Sequence, residues 1–211
     1  MRKDSKTLGI LLGILFSVFA VALAVFLLLN FDFLYRFDIE KLGIQSSTGY
    51  EKDFILDNYH AVTQYLSPFH DGEFKLAGME FSEGGAVHFE EVKNIINILY
   101  LAGFASLFAI LTLLVIFKKR VGRNTFFFSS LGTIVLPAIL IIGAAIDFDG
   151  FFTLFHKLFF NNDLWIFDSK TDPIIKILPQ EFFMHCALFI AFVLIFFTIA
   201  LSVIGLSKKK R

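Results

Sequence analysis

The sequence TLGILLGILFSVFAVALAVFLLLNF, residues 7–31, runs without a single charged side chain. A helix of this length rises ~37 Å at ~1.5 Å per residue, which exceeds the ~30 Å of bilayer hydrocarbon. The basic residues before it are also typical of a signal peptide. The apolar run is too long for one, however, and no small-residue cleavage site follows, so we predict an uncleaved membrane span.

Three further apolar runs are long enough to cross a membrane: residues 95–117, 125–146 and 183–206. The chain of 211 residues is 56% hydrophobic and contains 30 phenylalanines, a composition that is rare in soluble domains. We therefore predict an all-α membrane protein with four transmembrane helices.

The basic residues predict how these spans are oriented. Eleven of the 19 lysines and arginines fall in the N-terminal tail, the connection 118–124 and the tail 207–211, where Asp4 is the only acidic residue. By the positive-inside rule these three segments, and hence both termini, are cytoplasmic. Residues 32–94 and 147–182 are then extracytoplasmic, and the first of them carries twelve acidic against five basic residues.

The first extracytoplasmic segment is predicted to form a small α+β cap domain, residues 32–94. Within it LDNYHAVTQYLS, residues 56–67, has apolar side chains at helical spacing, which predicts an amphipathic helix that Pro68 ends. GEFKLAGMEFSEGG, residues 72–85, alternates in polarity, which favours a short hairpin.

The second extracytoplasmic segment, residues 147–182, contains a phenylalanine-rich stretch with His156 at its edge. Four of its rings fall on one helical face: Phe152, Phe155, Phe159 and Phe160. An apolar face of this kind predicts a helix that lies in the plane of the membrane interface.

All five histidines lie in the predicted extracytoplasmic segments or at their edges: His60, His70, His88, His156 and His185. Histidine titrates near neutral pH and is the commonest general base. His88, in the first turns of a helix that continues into the second span, lies within about a turn of Glu90 and Glu91, and His156 lies within about two turns of Asp149 and Asp163. Both histidines border a hydrophobic element. A reaction at the outer membrane surface could use both, whereas His60 and His70 fit a structural role.

A metal site is a weaker interpretation of the same residues. His88 and Glu91 share a helix face, but no HExxH sequence or cysteine cluster accompanies them. There is no glycine-rich phosphate loop and no G-x-S-x-G elbow. The single cysteine, Cys186, excludes an intrachain disulfide. We therefore predict no metal.

Two motifs resemble the lipoprotein intramolecular transacylase family, Lit, of Gram-positive bacteria. The first is FSEGGAVHFEEVK, residues 81–93. The second begins with FHKLFFNNDLWIFD at residue 155 and continues through DPIIKILPQEFF to residue 183. The resemblance extends over the whole chain, from the four-span topology to the last span.

This resemblance implies a multi-pass acyltransferase of the bacterial cell membrane with its active site at the outer leaflet. The substrate would be a lipoprotein whose N-terminal cysteine carries an S-diacylglyceryl group and a free α-amine. The sn-2 acyl chain would move to that amine and leave an N-acyl, S-monoacylglyceryl (lyso) lipoprotein. No cofactor would be needed, because an ester is exchanged for a more stable amide, and the partners would be the lipoprotein and membrane lipids, without nucleic acid.

On the pattern of the family, the catalytic residues would be His88 and His156, acting as acid and base. The residues that we expect to bind substrate or to support this pair come from the same two motifs: Glu91, Lys93, Asn161, Asn162, Asp163, Trp165 and Asp168. The sequence does not decide which histidine is the base, nor whether an acyl-histidine forms.

Three other functions are considered. A non-catalytic sensor or assembly partner would bind through the acidic segment and would need neither histidine. A transporter is disfavoured because the four spans carry almost no charge, and ionisable residues usually mark transport pathways. A different lipid hydrolase or acyltransferase could use the same two histidines.

Overall fold

The computed structural model describes residues 3–207, with side chains from Lys6 onward, and folds them into ten helices. The helices are α1 Lys3–Asn30, α2 Phe33–Lys41, α3 Ile44–Thr48, α4 Lys52–Tyr65, α5 Glu83–Ile116, α6 Arg123–Thr133, α7 Val135–Ile146, α8 Phe148–Phe159, α9 Ile174–Ile177 and α10 Gln180–Leu206. Arg2 and residues 208–211, which contribute to the predicted orientation, lie outside the described residues.

Four segments are long and apolar enough to cross a membrane, as the sequence predicts: Lys6–Asn30, Glu83–Ile116, Arg123–Ile146 and Gln180–Leu206. The second is longer than predicted, because α5 begins at Glu83 rather than at residue 95. The motif FSEGGAVHFEEVK is therefore almost entirely helical, and His88 lies in the first turns of α5, as expected.

The third span consists of two helices, α6 and α7, because Pro137 interrupts the backbone hydrogen bonds. Proline has no N–H to donate to the carbonyl four residues earlier, which here belongs to Thr133. The Thr133 hydroxyl oxygen lies 2.8 Å from that of Thr198 in α10. A buried polar contact between two spans thus occurs next to the break.

The chain divides into two compact units. Unit 1 contains Met1–Val25, Leu99–Ala145 and Ala187–Arg211, and unit 2 contains Phe26–Ile98 and Ile146–Cys186. Within unit 1, glycines let helices approach closely: a Cβ added to Gly13 of α1 would lie 2.5 Å from the carbonyl oxygen of Ser129 in α6. Small residues at such crossings are typical of helices that associate in a membrane.

Unit 2 is built around two stacked tyrosine rings. The rings of Tyr35 in α2 and Tyr59 in α4 are 3.8 Å apart and nearly parallel. The Tyr35 hydroxyl donates to the carbonyl of Ile177 at 2.7 Å, and the Tyr59 hydroxyl donates to the carbonyl of Leu28 at 3.1 Å. Both rings are buried, and both hydroxyl groups have a partner, as buried polar groups require.

The local predictions for residues 32–94 have mixed outcomes. The amphipathic helix is confirmed, since α4 ends at Tyr65, three residues before Pro68. The prediction of a hairpin is wrong, because residues 66–82 contain neither helix nor strand. Residues 32–94, all of which the structure describes, therefore contain helices and irregular segments but no strand, so the predicted α+β cap is not observed. The apolar side chains of residues 66–82 pack individually instead, as Phe74 does against the rings of Phe89 at 4.5 Å and Tyr65 at 5.1 Å.

Candidate active site

Helix α8 carries His156 with its side chain buried. The helix begins at Phe148, and the carboxylate of Asp147 caps it by accepting from the Gly150 N–H at 3.0 Å. The predicted phenylalanine face is only partly correct. Phe155 and Phe159 are exposed, whereas Phe160 follows the end of the helix and is buried. His156 is 8% exposed and so lies on the interior side rather than at the edge of the apolar face.

The tautomer of His156 is set by a backbone carbonyl. Nδ1 of His156 lies 2.7 Å from the carbonyl oxygen of Phe152, one turn earlier in α8. A carbonyl only accepts hydrogen bonds, so Nδ1 carries the proton and Nε2 of the neutral ring keeps its lone pair. Burial lowers the pKa of His156, and the hydrogen bond to Phe152 offsets part of this shift. The neutral, proton-accepting form therefore predominates at neutral pH.

His88 is a titratable neighbour of His156, with 5.9 Å between the ring centroids. Its side chain is buried among aromatic rings, with Phe160 at 4.8 Å and Phe167 at 5.5 Å. Nδ1 of His88 is buried and has no hydrogen-bond partner. The structure thus brings together two buried histidines that are far apart in sequence, in largely aromatic surroundings.

Asn162 connects the two sequence motifs. Its Nδ2 donates to Oε1 of Glu91 at 2.8 Å, and its backbone carbonyl accepts from Nε1 of Trp165 at 3.1 Å. The Trp165 ring stacks on His156 with 4.6 Å between ring centroids. A continuous set of contacts therefore runs from the carboxylate of Glu91 through Asn162 and Trp165 to His156.

The four remaining predicted residues are placed differently. Lys93 donates to the carbonyl of His70 and lies over the Tyr65 ring, 4.5 Å from its centroid. Asp168 is exposed and accepts from the Lys170 N–H in a turn. Two more are exposed: Asn161 and Asp163. Among the described residues, the structure shows no hydrogen bond from any of these four side chains to the histidine pair or to Glu91.

Asp172 was missed by the sequence analysis. It is 3% exposed, and its Oδ1 accepts from the N–H and the hydroxyl of Ser82 at 2.8 and 3.0 Å. Oδ2 accepts from the hydroxyl of Thr171 at 2.7 Å. The Ser82 hydroxyl in turn accepts from the Gly85 N–H at 2.9 Å, at the start of α5. Asp172 thereby attaches the helix of His88 to the second motif, and its sequence signal was its place at the start of DPIIKILPQEFF in that motif.

A half-buried pair of an acid and a histidine was also missed. Asp38 of α2 is completely buried, and its Oδ1 lies 2.7 Å from Nδ1 of His185 in α10. Burial raises the pKa of Asp38, and the hydrogen bond with His185 offsets part of this shift. The other carboxylate oxygen of Asp38 has no hydrogen-bond partner.

The histidine pair can perform acid–base chemistry on a bound molecule. A neutral imidazole with a free lone pair can take a proton from a nucleophile. A second imidazole beside it can donate an N–H to an oxygen on which negative charge develops. Between residues 6 and 207 there is no group of three histidine, cysteine or acidic side chains that could hold a metal ion.

Comparison with known proteins gives a consistent result. The family model described as lipoprotein intramolecular transacylase Lit matches residues 10–183. The structure of the membrane integral lipoprotein intramolecular transacylase Lit from Bacillus cereus is similar, with a TM-score of 0.88 and 33% identity over 95% of this chain and 94% of that chain. No protein with a curated description matches the sequence significantly.

Two further structures of the Bacillus cereus protein, each with one histidine replaced, are also similar. The form with arginine and the form with alanine each have a TM-score of 0.82 and 33% identity. Both matches cover 94% of this chain, together with 88% and 90% of the respective chains.

Proposed function

We propose a specific reaction for this chain, which belongs to the lipoprotein intramolecular transacylase family, Lit, and is therefore a membrane acyltransferase. The substrate is a lipoprotein whose N-terminal cysteine carries an S-diacylglyceryl group. The sn-2 acyl chain moves to the α-amine of that cysteine and leaves an N-acyl, S-monoacylglyceryl lipoprotein. The observation that supports this proposal is the pair of buried histidines, His88 and His156, with 5.9 Å between their ring centroids.

We assign His156 as the general base. An α-amine has a pKa of about 8 and is largely protonated at neutral pH, so it must lose a proton before it can attack an ester. Nε2 of His156 keeps its lone pair because Nδ1 donates to the Phe152 carbonyl. The lowered pKa of His156 means that this nitrogen is free to accept the proton when substrate binds.

We assign His88 to the stabilisation of the developing oxyanion. The amine nitrogen attacks the sn-2 ester carbon, and an N–H of His88 donates to the carbonyl oxygen as its negative charge grows. The carbon–nitrogen bond forms and the bond to the sn-2 oxygen breaks. His156 releases the first proton to solvent, accepts the second proton of the nitrogen as the carbon–nitrogen bond forms, and donates it to the sn-2 oxygen, which gives the free hydroxyl of the product. Because amine and ester belong to one molecule, the reaction gains from a high effective concentration.

We place this chemistry at the outer leaflet, with both chain termini in the cytoplasm. The support for this orientation is the distribution of basic residues, which favours a cytoplasmic position for the 118–124 connection. One face of α8 is exposed and apolar: Leu154, Phe155, Leu158 and Phe159. We propose that this face lies in the membrane interface, against lipid and substrate acyl chains.

The test is mass spectrometry of lipoprotein N-terminal peptides from a bacterium that lacks other N-acylating enzymes. We expect the wild type to yield N-acyl, S-monoacylglyceryl cysteine, and His88→Ala and His156→Ala to leave diacylglyceryl cysteine with a free amine. His60→Ala is the matched control, because His60 is an exposed histidine paired with Asp32, and should retain the product.

The possible results separate the reaction from the assignment of residues. If the wild type inserts into the membrane but leaves lipoproteins diacylated, the proposed reaction is refuted. If the wild type forms the product and either histidine variant forms it equally well, the pair is not the catalytic centre.

A further inference from the structure

Glu91 has a buried carboxylate oxygen that nothing in the protein binds. Oε1 accepts from Asn162 at 2.8 Å, which fixes the orientation of the carboxylate. Oε2 is enclosed and has no hydrogen-bond partner among the described residues. A buried carboxylate oxygen without a donor is energetically costly, and beside a candidate active site a bound substrate can supply that donor.

The neighbours of Glu91 show that this oxygen belongs to the same cluster as the histidine pair. Glu91 lies three residues after His88 on one face of α5, and Nδ1 of His88 is also buried and unpartnered. On its other side Asn162 binds Trp165, which stacks on His156. The candidate active site therefore contains two buried polar atoms without partners, Nδ1 of His88 and Oε2 of Glu91.

From Lys6 to Ser207, no lysine or arginine forms an ion pair with this carboxylate. Lys93 is the nearest lysine in sequence, and it binds the His70 carbonyl and the face of the Tyr65 ring instead. The ion pairs of the described residues involve other carboxylates, those of Asp32, Asp38, Glu40 and Glu73. The positive group that would match Glu91 must therefore come from the ligand.

We propose that Glu91 binds the α-ammonium group of the lipoprotein substrate and so selects lipoproteins whose N-terminal amine is free. This inference rests on the proposed function, because the substrate is the lipoprotein of the proposed reaction. Oε2 accepts a charge-assisted hydrogen bond from the ammonium group, which holds the nitrogen near His156 until the proton is removed. An N-acylated lipoprotein has no such charge and offers Oε2 only a neutral amide N–H, which is a weaker donor than an ammonium group.

The test measures binding separately from turnover. The probe is a diacylglyceryl-cysteine peptide analogue in which ether bonds replace both esters, so that no acyl transfer can occur. It is prepared with a free amine and with an N-acetyl group, and each form is titrated against the full-length protein in detergent. We expect the wild type to bind the free-amine form about 10- to 100-fold more tightly at pH 7, the range for one charge-assisted hydrogen bond.

Two variants and a pH series decide the result. Glu91→Gln should bind both forms with similar affinity, whereas Glu90→Gln, the same change at the exposed neighbour, should retain the wild-type preference. Glu91→Asp should retain part of it. In the wild type the preference should weaken as pH rises above about 8, where the free amine loses its charge. This last measurement needs no variant, so a preference that persists well above pH 8 would overturn the inference even if Glu91→Gln does not fold.

The outcomes distinguish this inference from the proposed reaction. If Glu91→Gln keeps the wild-type preference, or if the preference persists at high pH, Glu91 is not the ammonium site. If Glu91→Gln loses turnover but keeps the preference for the free amine, Glu91 acts as a positioning residue through Asn162, and the inference is likewise overturned. If the wild type shows the Glu91-dependent preference but does not convert an ester substrate, the ammonium site stands and the proposed reaction fails.

Discussion

Removing the carboxylate of Asp172 should destabilise the protein strongly, although sequence analysis gave this residue no role. Asp172→Ala deletes three hydrogen bonds, two from Ser82 and one from Thr171. A hydrogen bond to a charged group contributes about 1.5–3 kcal/mol, and bonds that share one carboxylate are not additive. The N–H of Ser82 also loses its acceptor. We therefore expect the free energy of unfolding to fall by about 3–4 kcal/mol.

Asp168→Ala is the matched control for this prediction. It makes the same chemical change four residues earlier, but Asp168 is exposed and its side chain accepts one hydrogen bond, from the Lys170 N–H at 2.9 Å. Its loss should cost less than about 1 kcal/mol. In a chain of this size 1 kcal/mol corresponds to about 2–4 °C in Tm, so Asp172→Ala should lower Tm by about 6–16 °C and Asp168→Ala by at most about 4 °C.

The assay is thermal unfolding of the purified protein in detergent, followed by the rate of acyl transfer. Because Asp172 attaches the start of α5 to the motif that carries Trp165, we expect Asp172→Ala to lose turnover also below its Tm. Asp172→Asn keeps one acceptor oxygen, so its Tm should lie between those of Asp172→Ala and Asp168→Ala. Equal Tm values for Asp172→Ala and Asp168→Ala would refute the reasoning, since burial would then have no energetic consequence.

Two further predictions concern His156 and the ring that covers it. The folded-state pKa of His156 is lowered, so the unfolded chain binds more protons below the ordinary histidine pKa of about 6.5, and acid should destabilise the fold. The Tm of the wild type should thus fall between pH 7 and pH 5, and that of His156→Gln should fall less. An equal fall of Tm in both proteins would contradict a lowered pKa of His156. Trp165→Leu should lower turnover about 10- to 100-fold by releasing His156, while Trp165→Phe retains a stacked ring and more activity. Identical rates for the two tryptophan variants, measured by product mass spectrometry, would show that stacking does not matter.

The spans were predictable because a membrane span is a local property of the chain. The run 7–31 and the observed Lys6–Asn30 agree to within one residue at each end, since both follow from an unbroken apolar stretch of sufficient length. The helix α4 was predictable for a similar reason, because apolar spacing and Pro68 define it without reference to the rest of the fold.

The hairpin prediction failed because alternating polarity does not by itself specify a strand. Residues 72–85 alternate, but a two-stranded hairpin has marginal stability on its own, and the segment gains more by packing its apolar side chains separately. Phe74 and Met79 are both buried, and Phe74 stacks on Phe89 of α5. The partners that decide this conformation lie elsewhere in the sequence.

The pair of Asp38 and His185 shows why part of the structure could not be predicted at all. Asp38 stands among charged residues in an acidic segment, which favours an exposed position, yet α2 buries it on one face with Tyr35 and Ile39. Its partner lies 147 residues away, in α10. The only signal was His185 itself, because an ionisable residue within a span such as Gln180–Leu206 usually has a specific partner.

The position of this pair gives a physical reason for retaining a buried polar contact in the protein. The residues that follow Gln180 in α10 include Phe183, whose ring lies 5.7 Å from that of Phe152. Phe152 in turn supplies the carbonyl that sets the tautomer of His156. An apolar interface tolerates small shifts of one helix along another. A hydrogen bond does not, because a shift would separate the buried carboxylate of Asp38 from its donor on His185. This hydrogen bond therefore specifies the register of α10 more narrowly than apolar contacts alone.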